Sequence, residues 1–345
     1  MAYISFQPSD YFNTLLYTGN NTDDRAITGV GFQPDWTWIK LRNANQQHEL
    51  FDAVRGANKP INSNTTNAET TETNRLKSFD SDGFTLGTST AVNKAYNYVA
   101  WNWKAGTTSG LSGGTITPSS YSISATSGVG IYKYTGTGSN GLIAHGLGVA
   151  PKVVLIKDLS ATGSWRMYTE MTGNASQLAL DQTSAADSGN TTMWNSTSPT
   201  TTTFSIGTHG NVNTSGNSYI AIAFAQKKGF SAMSSYKGNN NADGSYIHLG
   251  FRPAFFLWKR SSSSGGWYIS DSKRDTFNEV DTVLSANDSG SESDQGSTFD
   301  HDFLSNGIKI RNTVASQNSD GDTFVYIAFA EHPLVSSNGV PATAR

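Results

Sequence analysis

This sequence predicts an all-β fold made of three tandem β-sandwich, jelly-roll-like domains, and three observations point there. Charged residues make up only 15% of the 345 residues, while glycine (34 residues), Ser, Thr and Asn abound, a balance that favours strands joined by turns. One long phrase recurs three times: "YTGNNTDDRAITGVGFQPDWTWIK" from Tyr17, "YTGTGSNGLIAHGLGVAPKVVLIK" from Tyr134 and "YKGNNNADGSYIHLGFRPAFFLWK" from Tyr236. Each repeat also closes alike, on "YVAWNWK", "YIAIAFA" or "FVYIAFA", and these segments alternate with a period of two.

The repeats are longer than the roughly 20 to 50 residues of solenoid units, and each is long enough to bury a core. The expected division is repeat 1 over 1–105, a Gly/Ser/Thr linker over 106–128, repeat 2 over 129–228, repeat 3 over 229–335 and a tail over 336–345. Within the linker, "TITPSSYSIS" has the pattern of a short added strand. The junction "QKKGFSAMSS" is short, so repeats 2 and 3 should sit close together.

In each repeat the strand after the proline (Pro34, Pro151, Pro253) is apolar on both sides. Trp36 and Trp38, Val153 and Leu155, and Phe255 and Leu257 share one face; Ile39, Val154 with Ile156, and Phe256 with Trp258 share the other. A strand apolar on both faces is covered on both, here by the second sheet of a sandwich and by a loop, a sister repeat or a subunit. Lys40, Lys157 and Lys259 follow, and are expected where the strand re-enters water with their stems on its apolar edge. In the closing strands Val99, Trp101 and Trp103, then Ile220, Ile222 and Phe224, then Val325, Ile327 and Phe329 form the large face. Turns such as "DSDG", "NADG" and "NSDGD" separate the strands, and no long helical period appears.

Several function classes fall away on composition. Net charge is −3, leaving no broad basic surface for nucleic acid. No cysteine is present, which removes disulfides, cysteine-based metal sites and thiol nucleophiles. No apolar run reaches the length of a membrane span and the N-terminus lacks the pattern of a secretory signal, so neither membrane insertion nor signal-directed export is expected. His48, His145, His209, His248, His301 and His332 are scattered without metal-ligand spacing, and the Asp/Gly turns fall short of a calcium loop. No cofactor and no metal are expected. Catalysis is not expected either: no nucleophile elbow or phosphate loop occurs, and Glu170, Glu279, Asp281 and Glu292 are candidate glycosidase acids by type alone.

Six residues remain as candidate ligand or interface contacts. Asp52 with Arg55 in "FDAVRG", and Asp271 with Arg274 in "SDSKRD", repeat a polar spacing that repeat 2 lacks; they are expected to brace a turn, with a ligand clamp as the alternative. Trp165 in "TGSWRMY" and Trp267 in "SGGWYIS" occupy matching positions, at which a tryptophan serves either core packing or a recognition surface.

The stretches "GFQPDWTWIKLRN…HELFDAVRG", "AHGLGVAPKVVLIKDLSATGSWRMY" and "LGFRPAFFLWKRSSSSGGWYISDSKRD…YIAFAEHPLV" resemble a repeat domain of virion proteins in tailed, especially marine, bacteriophages. The resemblance implies a virion protein made in the host cytoplasm and released by lysis. It points to a tail fibre or tail-associated adhesion component, with a capsid decoration protein or capsid fibre as the alternative and a polysaccharide depolymerase behind both. Implied partners are other virion proteins, further copies of this chain in a homo-oligomer such as a trimer, and a host-surface glycan or protein.

Overall fold

The computed structural model describes residues 4–294, 298–336, 339–341 and 343. Of the tail expected over 336–345, residues 337, 338, 342, 344 and 345 lie outside the described residues.

Repeat 1 contributes β1 (Phe12–Thr18), β2 (Arg25–Thr28), β3 (Trp36–Leu41), β4 (Glu49–Asp52), β5 (Leu76–Asp80), β6 (Gly83–Leu86) and β7 (Asn97–Trp103). Repeat 2 adds β8 (Ser120–Ser124), β9 (Val129–Thr135), β10 (Gly141–Ala144), β11 (Val153–Asp158), β12 (Arg166–Thr169), β13 (Ser176–Ala179), β14 (Asp187–Ser188), β15 (Thr203–Ile206), the one-turn helix α1 (Gly210–Asn213) and β16 (Ser218–Phe224). Repeat 3 supplies β17 (Ser231–Lys237), β18 (Tyr246–His248), β19 (Phe251–Arg260), β20 (Trp267–Asp271), β21 (Thr282–Ser285), β22 (Ser293–Asp294), β23 (His301–Leu304), β24 (Gly307–Ile310), the one-turn helix α2 (Ala315–Asn318) and β25 (Thr323–Pro333).

Every repeat folds the same way. A large antiparallel sheet runs β1-β7-β3-β4, β14-β13-β12-β11-β16-β9-β8 or β17-β25-β19-β20-β21-β22, with the post-proline strand beside the closing strand. A small sheet, β2-β6-β5, β10-β15 or β18-β24-β23, lies over one face. The two layers enclose a private core, such as Ile27, Phe84 and Leu86 against Ile39, Phe51 and Tyr98 in repeat 1. These are the all-β sandwiches that the period-two patterns predict.

The other face of all three large sheets meets in one common core. Trp36, Trp38, Trp101 and Trp103 of repeat 1 join Val153, Leu155, Ile222 and Phe224 of repeat 2 and Phe255, Leu257, Ile327 and Phe329 of repeat 3 in a single buried cluster. Trp36 stacks on Trp103 at 4.2 Å and touches Phe224 at 5.8 Å, and Phe224 meets Phe329 at 5.6 Å. The second apolar face is therefore covered by sister repeats of the same chain. Each sandwich has its own outer core, yet none has its inner face covered without the other two.

The linker stretch is tied into this body. Ser122, on β8, donates to the Asp35 carboxylate at 2.7 Å, and the Ala105 amide donates to the other oxygen at 2.8 Å. β8 becomes the edge strand of the repeat 2 sheet, pairing with β9 from Ser120↔Lys133 to Ser124↔Val129.

The recurrent tyrosine and glycine of "YTG/YKG" have a definite task. Tyr17, Tyr134 and Tyr236 stack on Tyr98, Tyr219 and Phe324 at 5.1, 5.2 and 5.0 Å, and their hydroxyls donate to Val92 O, Val212 O and Gln317 O at 2.8, 2.6 and 2.8 Å. Two residues on, a Cβ at Gly136 would lie 2.2 Å from Thr214 O, and one at Gly238 would lie 2.1 Å from Ser319 O, so only glycine fits. The loop is then pinned by a buried asparagine: Asn93, Asn213 and Asn318 accept from Asn20 N, Thr137 N and Asn239 N at 3.2, 2.7 and 3.0 Å.

Candidate functional site

The three lysines correct the expectation that they surface in water. Lys40, Lys157 and Lys259 are fully buried, because the neighbouring repeat closes over each strand end. Lys157 Nζ donates across the boundary to Thr66 O of repeat 1 at 3.1 Å, Lys259 Nζ to Thr183 O of repeat 2 at 2.9 Å, and Lys40 Nζ to Ser289 O of repeat 3 at 3.2 Å. Burial pushes each ammonium down to about 8.

Eight residues beyond each lysine a second side chain spans the same boundary. Trp165 Nε1 donates to Asn62 O at 2.8 Å, and Trp267 Nε1 to Ala179 O at 2.8 Å. His48 occupies the third position, with Nε2 3.0 Å from Ser285 O. The Trp38 indole donates to His48 Nδ1 at 2.9 Å, which leaves the proton on Nε2, and burial holds the imidazole well below its usual range and therefore neutral. Backbone pairs complete each seam: Gly163 N to Thr66 O and Glu69 N to Leu159 O; Gly265 N to Thr183 O and Ala186 N to Ser261 O; Gln46 N to Ser289 O and Glu292 N to Arg42 O. Repeat 2 leans on 1, 3 on 2 and 1 on 3, a closed ring of equivalent seams.

The six candidate contacts fall inside this architecture. Trp165 and Trp267 are buried seam residues, and the tryptophans supply no recognition surface, since all eight are buried. Asp52 and Arg55 form a buried pair at 2.5 Å, and the guanidinium also donates to Lys59 O at 2.6 Å. Asp271 accepts from Arg274 Nε at 2.6 Å, from the Arg274 amide at 2.9 Å and from Trp101 Nε1 at 3.1 Å. Both pairs brace a turn against the common core, and burial closes them to a ligand. Of the candidate acids, Glu170 pairs with Lys152 on repeat 2, while Glu292 forms a two-bonded pair with Arg42 at 2.8 Å across a seam. Among the described residues no group of three His, Asp or Glu side chains is placed to hold a metal ion, and no helix is long and apolar enough to cross a membrane.

A polar cleft of about 570 Å³ opens on the outer side of repeat 1. Its walls carry Gln46, Asn62, Asn67, Asn74, Thr88 and Thr90, with the charged side chains of Glu49, Arg75 and Lys94 among them. Glu49 points to the outer layer because it alternates on β4 with Leu50, which belongs to the common core. Its side chain is almost wholly buried, accepts from Arg75 Nη1 at 2.6 Å and from Asn62 Nδ2 at 3.3 Å, and burial pushes its carboxyl up to about 7 against the pull of that guanidinium. Nine residues after the lysine, where repeat 1 has Glu49, the other repeats carry Arg166, bonded to Gln177 at 3.0 Å, and Tyr268, stacked on Trp258 at 5.5 Å. Nothing in the sequence singled out Glu49 except its offset from Lys40, a comparison that needs the repeats aligned residue by residue.

No curated protein and no solved structure matches the chain. One family does match, over residues 7–333, which takes in all three repeats and every seam between them. The chain belongs to that family, described as Domain of unknown function (DUF7483).

Proposed function

We propose that this chain is a non-enzymatic structural and adhesion component of a tailed-bacteriophage particle, carried on the tail rather than on the capsid. The observation that supports it best is the use made of the reactive side chains: the three lysines, His48 and both Asp–Arg pairs are buried and committed to closing the ring or bracing turns. A body closed in this way is rigid, and its small sheets and their loops face outward, where loops carry recognition. The resemblance of the repeated phrases to virion proteins supplies the particle, and other virion proteins are the proposed partners. Cryo-electron microscopy of an intact particle carrying this chain tests the assignment. Density for the ring at the tail extremity is the expected result; density on the capsid lattice would make it a decoration protein instead.

A further inference from the structure

We infer that the cleft of repeat 1 is a binding site for a saccharide, held by hydrogen bonds to its hydroxyl groups. The cleft volume of about 570 Å³ lies within the range of small-ligand sites. Most of its walls are amides and hydroxyls, beside the charged Glu49, Arg75 and Lys94, and each amide offers a donor and an acceptor side by side, as a ring of vicinal hydroxyls requires. Among the described residues, Asn67, Asn74, Thr88 and Thr90 line the cleft with no intramolecular side-chain hydrogen bond, so their polar groups are available to a ligand.

The floor is organised for the same purpose. Glu49 and Arg75 neutralise one another at 2.6 Å, and Asn62 is held by His48 O at 2.6 Å as well as by Glu49. Such a pair fixes donors in place and cancels its own charge, and Lys94 adds one ammonium to the lining, so competition by inorganic sulfate separates hydroxyl recognition from anion capture. The matching place in repeat 2 is filled by the Arg166 guanidinium and in repeat 3 by the Tyr268 ring packed on Phe299 at 4.7 Å. Threefold repetition is thus broken at this position too, and here the chain leaves a polar opening.

This site rests on the adhesion reading only for the origin of the sugar, taken to be a host-surface glycan. The full chain is probed on an array of bacterial surface polysaccharides, beside the double variant Asn67→Ala, Asn74→Ala. Both asparagines are exposed, so the variant should keep the parent's thermal unfolding. Expected is binding of the parent to at least one polysaccharide, weakened tenfold or more in the variant. Failure to bind any member, equal binding by the variant, or displacement by millimolar inorganic sulfate would overturn the site. Particle imaging reports separately: a tail location without glycan binding would sink the cleft and leave the adhesion component standing, whereas glycan binding with a capsid location would do the reverse.

Discussion

Asp271 gathers donors from Arg274, Lys273 N and the Trp101 indole while almost no water reaches it. Removing it in Asp271→Ala leaves the buried Arg274 guanidinium with only the more distant Glu292 carboxylate, at 3.7 Å, as counter-charge, so unfolding free energy should fall by about 3 kcal/mol, read from the denaturant midpoint. The corresponding Thr169→Ala change removes one hydroxyl acceptor, from Met171 N at 3.1 Å, and should cost about 1 kcal/mol. The seam lysines give a pH dependence of defined sign. Their folded values, near 8, lie below the ordinary lysine value of 10.5, so between those limits the unfolded chain binds more protons and stability rises with pH. Below pH 8 the cost of the buried ammonium groups is fully present. Urea midpoints should therefore climb from pH 7.5 to pH 9.5, and replacing all three lysines by Met should flatten the climb; an unchanged slope in that triple variant would refute the assignment. Above pH 10 the buried tyrosines, whose hydroxyls burial pushes up, act in the opposite direction.

At the scale of strands, period-two alternation was legible and correct: the closing strands do present Val99, Trp101 and Trp103, and their counterparts, to a core. The doubly apolar post-proline strands likewise announced two covered faces. What alternation cannot name is the covering partner, because a sister repeat and a second chain present the same apolar surface. Burial of the lysines was hidden for a related reason, since the backbone carbonyls that receive their hydrogen bonds belong to a neighbouring repeat that the local pattern does not name. The cleft was illegible because its walls come from segments between Gln46 and Lys94 that are polar loops in sequence and converge only through β5 and β6. Trp165→Phe isolates one seam contact: it keeps most of the packing, loses the bond to Asn62 O and strands that carbonyl, and should cost about 1–3 kcal/mol. Trp103→Ala, in the common core, should cost about 3–5 kcal/mol by leaving a cavity that three sheets share.

The whole molecule behaves as one cooperative unit if its inner faces are mutually dependent. Thermal unfolding followed by tryptophan fluorescence and by far-ultraviolet circular dichroism should coincide. Repeat 2 produced alone with its edge strand β8, over 106–228, should expose Val153, Leu155, Ile222 and Phe224 and aggregate; a soluble, folded monomer of that fragment would show that the common core is dispensable. The need for a second chain to cover the post-proline strands is met inside this one.

Closure of the ring has one more consequence. Phe12 stacks on Phe329 at 5.2 Å, so the beginning of the first repeat and the end of the last are neighbours. A linear array of repeats must cap its two ends, because each terminal unit lacks one partner. Here no unit is terminal, and the order in which the ribosome makes the three sandwiches is separable from the way they pack. A circular permutant opened between repeats 1 and 2, with a short linker joining the old ends, should therefore reach the same fold, and loss of folding in it would show that chain order matters to the ring.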